Sequence, residues 1–194
     1  MLFILLIGTL SIILINPVKK PNQYDYNGFV VSKFRIRSAP EIIFHNIDLS
    51  VGNHLYSIPL RNDPRSIENI VVEDFDEMAW LKKSSEAANY NILAREVYIT
   101  FDPIKYSGGD LGIAGGEIAK VIGSSSTGMY KIPTGGAFTK SLDESAKIIK
   151  TCDDANSETG IILLTLGDEN KVNVEEDCIV IEGNSYDGLI KSAD

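Results

Sequence analysis

The hydrophobic pattern divides the chain unevenly. Leu2–Ile15 is apolar apart from Gly8, Thr9 and Ser11, and Asn16-Pro17 breaks the run. A helix packed into a protein core carries a polar stripe at 3.6-residue spacing. This run carries none, so residues 1–16 are expected to form a membrane anchor or signal sequence rather than a core helix. At 1.5 Å per residue the run covers only about 22 Å of a ~30 Å hydrocarbon core. It either crosses with little tilt in a thinned bilayer or begins further upstream. No small-x-small cleavage site follows, which favours an uncleaved anchor over a removed signal peptide. Residues 17–28 (PVKKPNQYDYNG) read as a spacer.

From Phe29 onward the pattern is strand-like. Lys33, Arg35 and Arg37 alternate with Phe34 and Ile36, the period of a strand with one wet face and one buried face. An anion-binding strip is the competing reading, and it is the weaker one in so acidic a chain. Ile42–Leu49 and Leu55–Leu60 are further strands, joined by a turn at Ser50–Asn53. Pro64 is placed to open a short helix, and Ser84–Leu93 reads as another of modest length. Glu96–Phe101 (EVYITF) is a compact β-rich run ending at Asp102-Pro103.

A helix is expected next. Ser107 and Asp110 have capping-box spacing, Leu111, Ala114, Ile118 and Ile122 share one helical face, and Gly123 stands at the C-terminal cap. With a strand at Met129–Ile132 this makes a strand–helix–strand unit, whose crossover implies a parallel pair. Lys147–Thr151, Gly160–Leu166, Lys171–Val174 and Cys178–Glu182 read as short strands, and Ser185 caps a last helix bearing Leu189, Ile190 and Ala193. The expected fold class is α/β: an N-terminal membrane helix over 1–16, a spacer over 17–28, and a single exported domain over 29–194 with a mixed sheet.

Composition narrows the functions. The 194 residues are 44% hydrophobic and 23% charged, an ordinary globular mix, with a net charge of −9. That balance disfavours nonspecific nucleic-acid binding, which needs a basic footprint. Two cysteines and two histidines are too few soft ligands for a zinc or iron–sulfur framework, so no metal and no cofactor is expected. The acidic run Glu73–Glu77 lacks the spacing of a calcium loop and reads as a solvated face. Lys19 and Lys20, just after the apolar run, would keep the domain in the cytoplasm by the positive-inside rule. The cysteines point the other way. In a reducing compartment Cys152 and Cys178 are two buried thiols; in an exported domain they suggest a disulfide. The balance is read as a single-pass membrane protein with its domain facing the exterior and a Cys152–Cys178 bridge.

Candidate chemistry is sparse. Gly108, Gly109, Gly112, Gly115 and Gly116 follow a strand and enter a helix, the context of a dinucleotide site. Their order is not GxGxxG, and tight helix–sheet packing explains them equally well. Gly123–Gly128 resembles a phosphate loop in composition only. Strand ends are where α/β sheets bind ligands. Asp102, Gly108, Gly109, Asp110, Thr134 and Gly135 are therefore the candidate ligand-binding residues, with Thr134–Gly136 read as a loop. Asp102, Asp110 and Glu117 are the carboxylates available to a hydrolase. His45 in an apolar strand and His54 beside a turn read as structural, and nothing in the spacing places either beside Cys152. No catalytic residue is assigned.

The blocks PLRNDPRSIENI, EVYITFDP, GIAGGEIAKVIG, KIPTGGAFT, TCDDA, TGIILLTLGDENKV and CIVIEGNSYDGLIKSAD resemble a group of uncharacterised membrane-anchored proteins predicted in archaeal genomes of small-celled lineages. The closing block is also similar to small α/β modules found beside glycan-handling domains. Neither resemblance implies an activity or a functional residue. The expected role is a non-enzymatic one at the cell surface or envelope. The bilayer would be engaged through Leu2–Ile15, with protein or glycan partners beyond it and no nucleic acid. The alternatives are a small-ligand or nucleotide-binding α/β module and a carboxylate-dependent hydrolase.

Overall fold

A computed structural model describes residues 22–51, 53–72, 79–83, 90–106, 108–123, 128–141 and 148–194. The apolar run Leu2–Ile15, the acidic run, Ser107 and residues 124–127 lie outside the described residues, so the expectations placed on them do too. Among the described residues, no helix is long and apolar enough to cross a membrane.

The chain is mostly β, with mixed pairing and two α-helices among the described residues. β1 (Gln23–Tyr26), β2 (Phe29–Ile36), β3 (Ala39–Val51) and β4 (His54–Leu60) form an antiparallel meander in chain order. β1 and β2 are joined by Asn27-Gly28, both at positive φ (47° and 85°), which suits the twist of a two-residue hairpin. β5 (Val71–Val72), β8 (Glu96–Phe101), β9 (Thr134–Phe138), β10 (Thr159–Leu166), β11 (Lys171–Glu175) and β12 (Cys178–Gly183) build a second sheet in the order β5-β11-β12-β10-β8-β9. β6 (Leu81–Lys83) and β7 (Tyr90–Ile92) pair as a small antiparallel ribbon.

The second sheet holds the core. β9, β8, β10 and β12 run parallel, and β11 pairs antiparallel with β12. Parallel strands covered on both faces read as continuous apolar runs, as TGIILLTL and CIVIEG do. On one face α1 (Gly109–Ile122) and α2 (Tyr186–Ala193) bring Leu111, Ala114, Ile118 and Leu189 onto Val97, Ile99, Ile162, Leu164 and Ile181. On the other, Ile161, Cys178 and Val180 pack under Cys152 and Ala155, at the short 3₁₀ turn of Cys152–Asp154. The disulfide Cys152–Cys178, with Cα atoms 5.1 Å apart, ties that turn to β12.

The expected strand–helix–strand unit is present as β8–α1–β9, with its strands parallel. Several local expectations are corrected. The second strand of that unit is Thr134–Phe138, not Met129–Ile132, where only Ile132 makes an isolated bridge, to Gly123. Thr134–Gly136 is thus the start of an edge strand rather than a loop. The N-cap of α1 is Gly108, at φ 134°, with no side-chain cap. Tyr90–Ile92, expected in a helix, is β7, and Gln23–Tyr26, inside the stretch read as a spacer, is β1. Lys147–Thr151 yields only a bridge at Ile149 among its described residues. Phe34 and Ile36, expected to be a buried face, are each 40% exposed.

Candidate functional site

The glycine-rich helix shapes a groove. Register places Thr134, Gly136 and Phe138 beside Val97, Ile99 and Phe101, on the helix-covered face of the sheet. α1 approaches β8 closely at Gly115, where a Cβ would lie 3.6 Å from Ile99 Cγ2. At Gly112, Gly116 and Gly136 a Cβ would meet nothing within 4 Å. The result is a cavity of about 280 Å³ between α1 and β9, floored by Ile99, Phe101 and Leu164. None of its lining residues is charged. The Thr134 hydroxyl donates to the Ile132 carbonyl (3.0 Å). Such a lining suits a small apolar moiety; it offers nothing that would orient a nucleotide.

The six candidate residues do not form one site. Asp102 follows Phe101, whereas Gly135 pairs with Tyr98, four residues back along the strand and roughly 13 Å away at 3.3 Å per residue. Thr134 and Gly135 therefore sit at the opposite end of the ladder from Asp102. Gly108, Gly109 and Asp110 form the N-terminal turn of α1. A carboxylate in that turn takes the place an anion would favour, which counts against phosphate binding there. Asp102 Oδ1 accepts from the Ile104 and Lys105 amides (2.9 and 3.3 Å), and its Oδ2 pairs with Lys140 Nζ at 2.8 Å. Lys140, helped by those amides, holds its carboxyl below the usual range, so Asp102 is an ionised turn-former and not a proton donor.

Glu117, third of the proposed carboxylates, is buried at the junction of the two sheets. Its carboxylate meets Lys120 Nζ and lies 3.5 Å from Arg61 Nε. Lys120 Nζ also donates to the Pro59 carbonyl at the end of β4. Asp194 Oδ1 accepts from the Arg61 amide (3.0 Å), and its Oδ2 from the Asn62 amide and side chain (2.5 and 3.1 Å). The Asp194 side chain is fully buried, and burial lowers the Lys120 pKa. This network fastens the meander to the helices. It is a structural joint.

A second polar cluster has no counterpart in the sequence-based candidates. The Tyr24 hydroxyl donates to Asp63 Oδ1 (3.0 Å) and lies 2.9 Å from His45 Nδ1. With the single phenolic proton used on Asp63, His45 must donate from Nδ1, leaving Nε2 as an acceptor. Arg65 Nε donates to Asp63 at 2.9 Å, and its guanidinium lies over the Tyr24 ring at 4.2 Å. Burial, followed by the Asp63 carboxylate, pushes the Tyr24 phenol up to about 12. Hydrogen bonding from Arg65 holds Asp63 well below the usual carboxylate range. Burial lowers the His45 pKa. The imidazole is therefore neutral near pH 7, and the cluster clasps β1 and β3 onto the Pro64–Ser66 3₁₀ turn that Asp63 caps. The only local signal for it is Asp63-Pro64, an N-cap followed by proline.

Among the described residues, no group of three or more His, Cys, Asp or Glu side chains is arranged to hold a metal ion. Cys152 is in the disulfide, so it is not available as a nucleophile for either histidine. No protein-family model, curated protein or solved structure matches this chain.

Proposed function

We propose that this is a single-pass membrane protein of the cell surface or envelope, whose exported domain works through protein or glycan contact rather than catalysis. The observation that carries the reading is the disulfide between the only two cysteines, Cys152 and Cys178. Disulfides persist in oxidising compartments, and this weighs against the cytoplasmic orientation that Lys19 and Lys20 favour. The apolar run Leu2–Ile15 supports the attachment to a bilayer. The hydrolase alternative has little behind it, because Asp102 and Glu117 are each paired with a lysine in separate places and Asp110 lies in the first turn of α1.

Protease added to intact cells tests the orientation. Digestion of the domain from Phe29 onward is expected, and full protection in intact cells with digestion after lysis would reverse it. One observation favours a second reading, a small-ligand module: the apolar cavity beside Gly112, Gly116 and Gly136. At about 280 Å³ it is close to the lower end of ligand pockets. An apolar fluorescent probe that binds the native protein and is displaced in Gly116→Leu would support that reading; equal binding to both would remove it.

A further inference from the structure

The tip of the β2–β3 hairpin combines features that the contact role does not use. Phe34, Ile36 and Ile43 are 40%, 40% and 37% exposed, and Phe34 stacks on Phe44 with ring centroids 5.5 Å apart. Interleaved with them are Lys33, Arg35 and Arg37. Arg35 and Arg37 are exposed, and among the described residues neither is paired with a carboxylate. A cleft of about 300 Å³ lies here, lined by Asn22, Lys33, Phe34, Arg35 and Ile43.

Register shows which way the preceding chain leaves. β1 runs opposite to β2, with Tyr26 facing Phe29, Gln23 facing Ser32, and the Lys33 amide donating to the Asn22 carbonyl (2.8 Å). At Asn22, the first described residue, the backward trace lies beside Lys33 and points away from the Asn27-Gly28 turn. Ile15 is seven residues from Asn22, at most about 25 Å of chain. That tether keeps the apolar run within reach of the hairpin tip, which Asn22 adjoins through Lys33. Charge is divided along the same line. Residues 1–43 carry five bases and two acids, whereas residues 44–194 carry thirteen bases and 25 acids.

We propose that the Phe34–Ile43 tip lies on the anionic headgroups of the bilayer that holds Leu2–Ile15, with Lys33, Arg35 and Arg37 on phosphates and Phe34 and Ile36 in the interface. This rests on the anchoring reading above. Basic residues beside a membrane are drawn to anionic lipid, and exposed apolar side chains among them insert at the headgroup boundary. The same bases would be repelled by a cationic partner. The acidic body of a second copy is the competing occupant, but it has no such continuity with the apolar run.

The test uses the full chain carrying Ile36→Trp, reconstituted in vesicles of phosphatidylglycerol with brominated acyl chains and, separately, of brominated phosphatidylcholine. The native Trp80 is fully buried and supplies an unquenched background. The introduced indole is expected to lose roughly half its emission in the anionic vesicles, as shallow insertion requires, and little in the zwitterionic ones. Arg35→Gln with Arg37→Gln, or salt on the order of 0.5 M, should restore the emission. Equal emission in both lipids, from protein that resists alkaline carbonate extraction, overturns the tip contact and leaves the anchor standing. Release by carbonate overturns the anchor and this proposal with it. Unquenched emission that shifts with the protein-to-lipid ratio assigns the tip to a second copy and overturns the lipid contact.

Discussion

The Trp80 indole occupies the space that a side chain at Gly160 would need. A Cβ at Gly160 would lie 2.8 Å from Cε3 and 2.9 Å from Cδ2 of that ring. Trp80 is itself fully buried and donates from Nε1 to the Asp177 carbonyl (2.6 Å), so it has little freedom to withdraw. Gly160→Ala is therefore expected to destabilise the domain by about 1–3 kcal/mol, the usual cost of overpacking. Urea unfolding would measure it, and a midpoint equal to that of the unsubstituted protein would show that the ring moves freely.

The joint between the two sheets makes a second prediction. Lys120→Met strips the ammonium from Glu117, 7% exposed, and from the Pro59 carbonyl, leaving a buried carboxylate facing only Arg61. Breaking a buried pair from one side costs roughly 3–5 kcal/mol, whereas replacing both partners is far milder. Glu117→Gln in the same chain should recover part of the loss. If the double variant unfolds at the same urea concentration as Lys120→Met, the charge on Glu117 is not what the lysine satisfies.

The Tyr24–His45–Asp63 clasp makes stability depend on pH. Burial lowers the folded His45 pKa, so as pH falls below about 6.5 the unfolded chain takes up a proton first and stability declines. Asp63, held low by Arg65, adds a second loss below about pH 4, again because the unfolded chain binds the proton first. The melting temperature should fall between about pH 7.5 and 5, and less steeply in His45→Gln. Parallel slopes in the two proteins would exclude the imidazole as the source. Tyr24→Phe should cost about 1–2 kcal/mol, because it leaves Asp63 and His45 each short of a partner.

Legibility from sequence followed the range of the interactions involved. β8, β10, β11 and β12 were readable because each is a continuous or alternating apolar run bounded by turn residues, and α1 because Leu111, Ala114 and Ile118 share one face. β9 was not, since TGGAF has two glycines and little β propensity; pairing with β8 imposes the strand. Tyr90–Ile92 is held by its partner Leu81–Lys83, which no local pattern announces. β1 carries a local signal, since Asn27-Gly28 between Tyr26 and Phe29 is a strong hairpin turn, but it sits inside a stretch whose composition suggests a spacer. The site candidates scattered for the same reason. Asp102 and Gly135 look close on a schematic sheet but occupy opposite ends of a parallel ladder. The Tyr24–Asp63 hydrogen bond at the centre of the second cluster joins residues 39 positions apart, which no spacing rule links.

The disulfide ties the sheet to the compartment. Cys178 begins β12, next to the buried Ile161 and Val180, and Cys152 sits in the turn that covers that face, so the bridge pins the non-helical side of the core. With the two positions separated by 26 in sequence, the chain-entropy model assigns the bond roughly 3.5 kcal/mol. Cys152→Ala with Cys178→Ala should lower the unfolding free energy measured in urea by about that amount in non-reducing buffer, while dithiothreitol should destabilise only the unsubstituted protein. Unreduced protein isolated from its native source should yield a Cys152–Cys178 linked peptide by mass spectrometry. Two freely alkylated thiols in that sample would place the domain in a reducing compartment, and the orientation favoured by Lys19 and Lys20 would then replace the exported one.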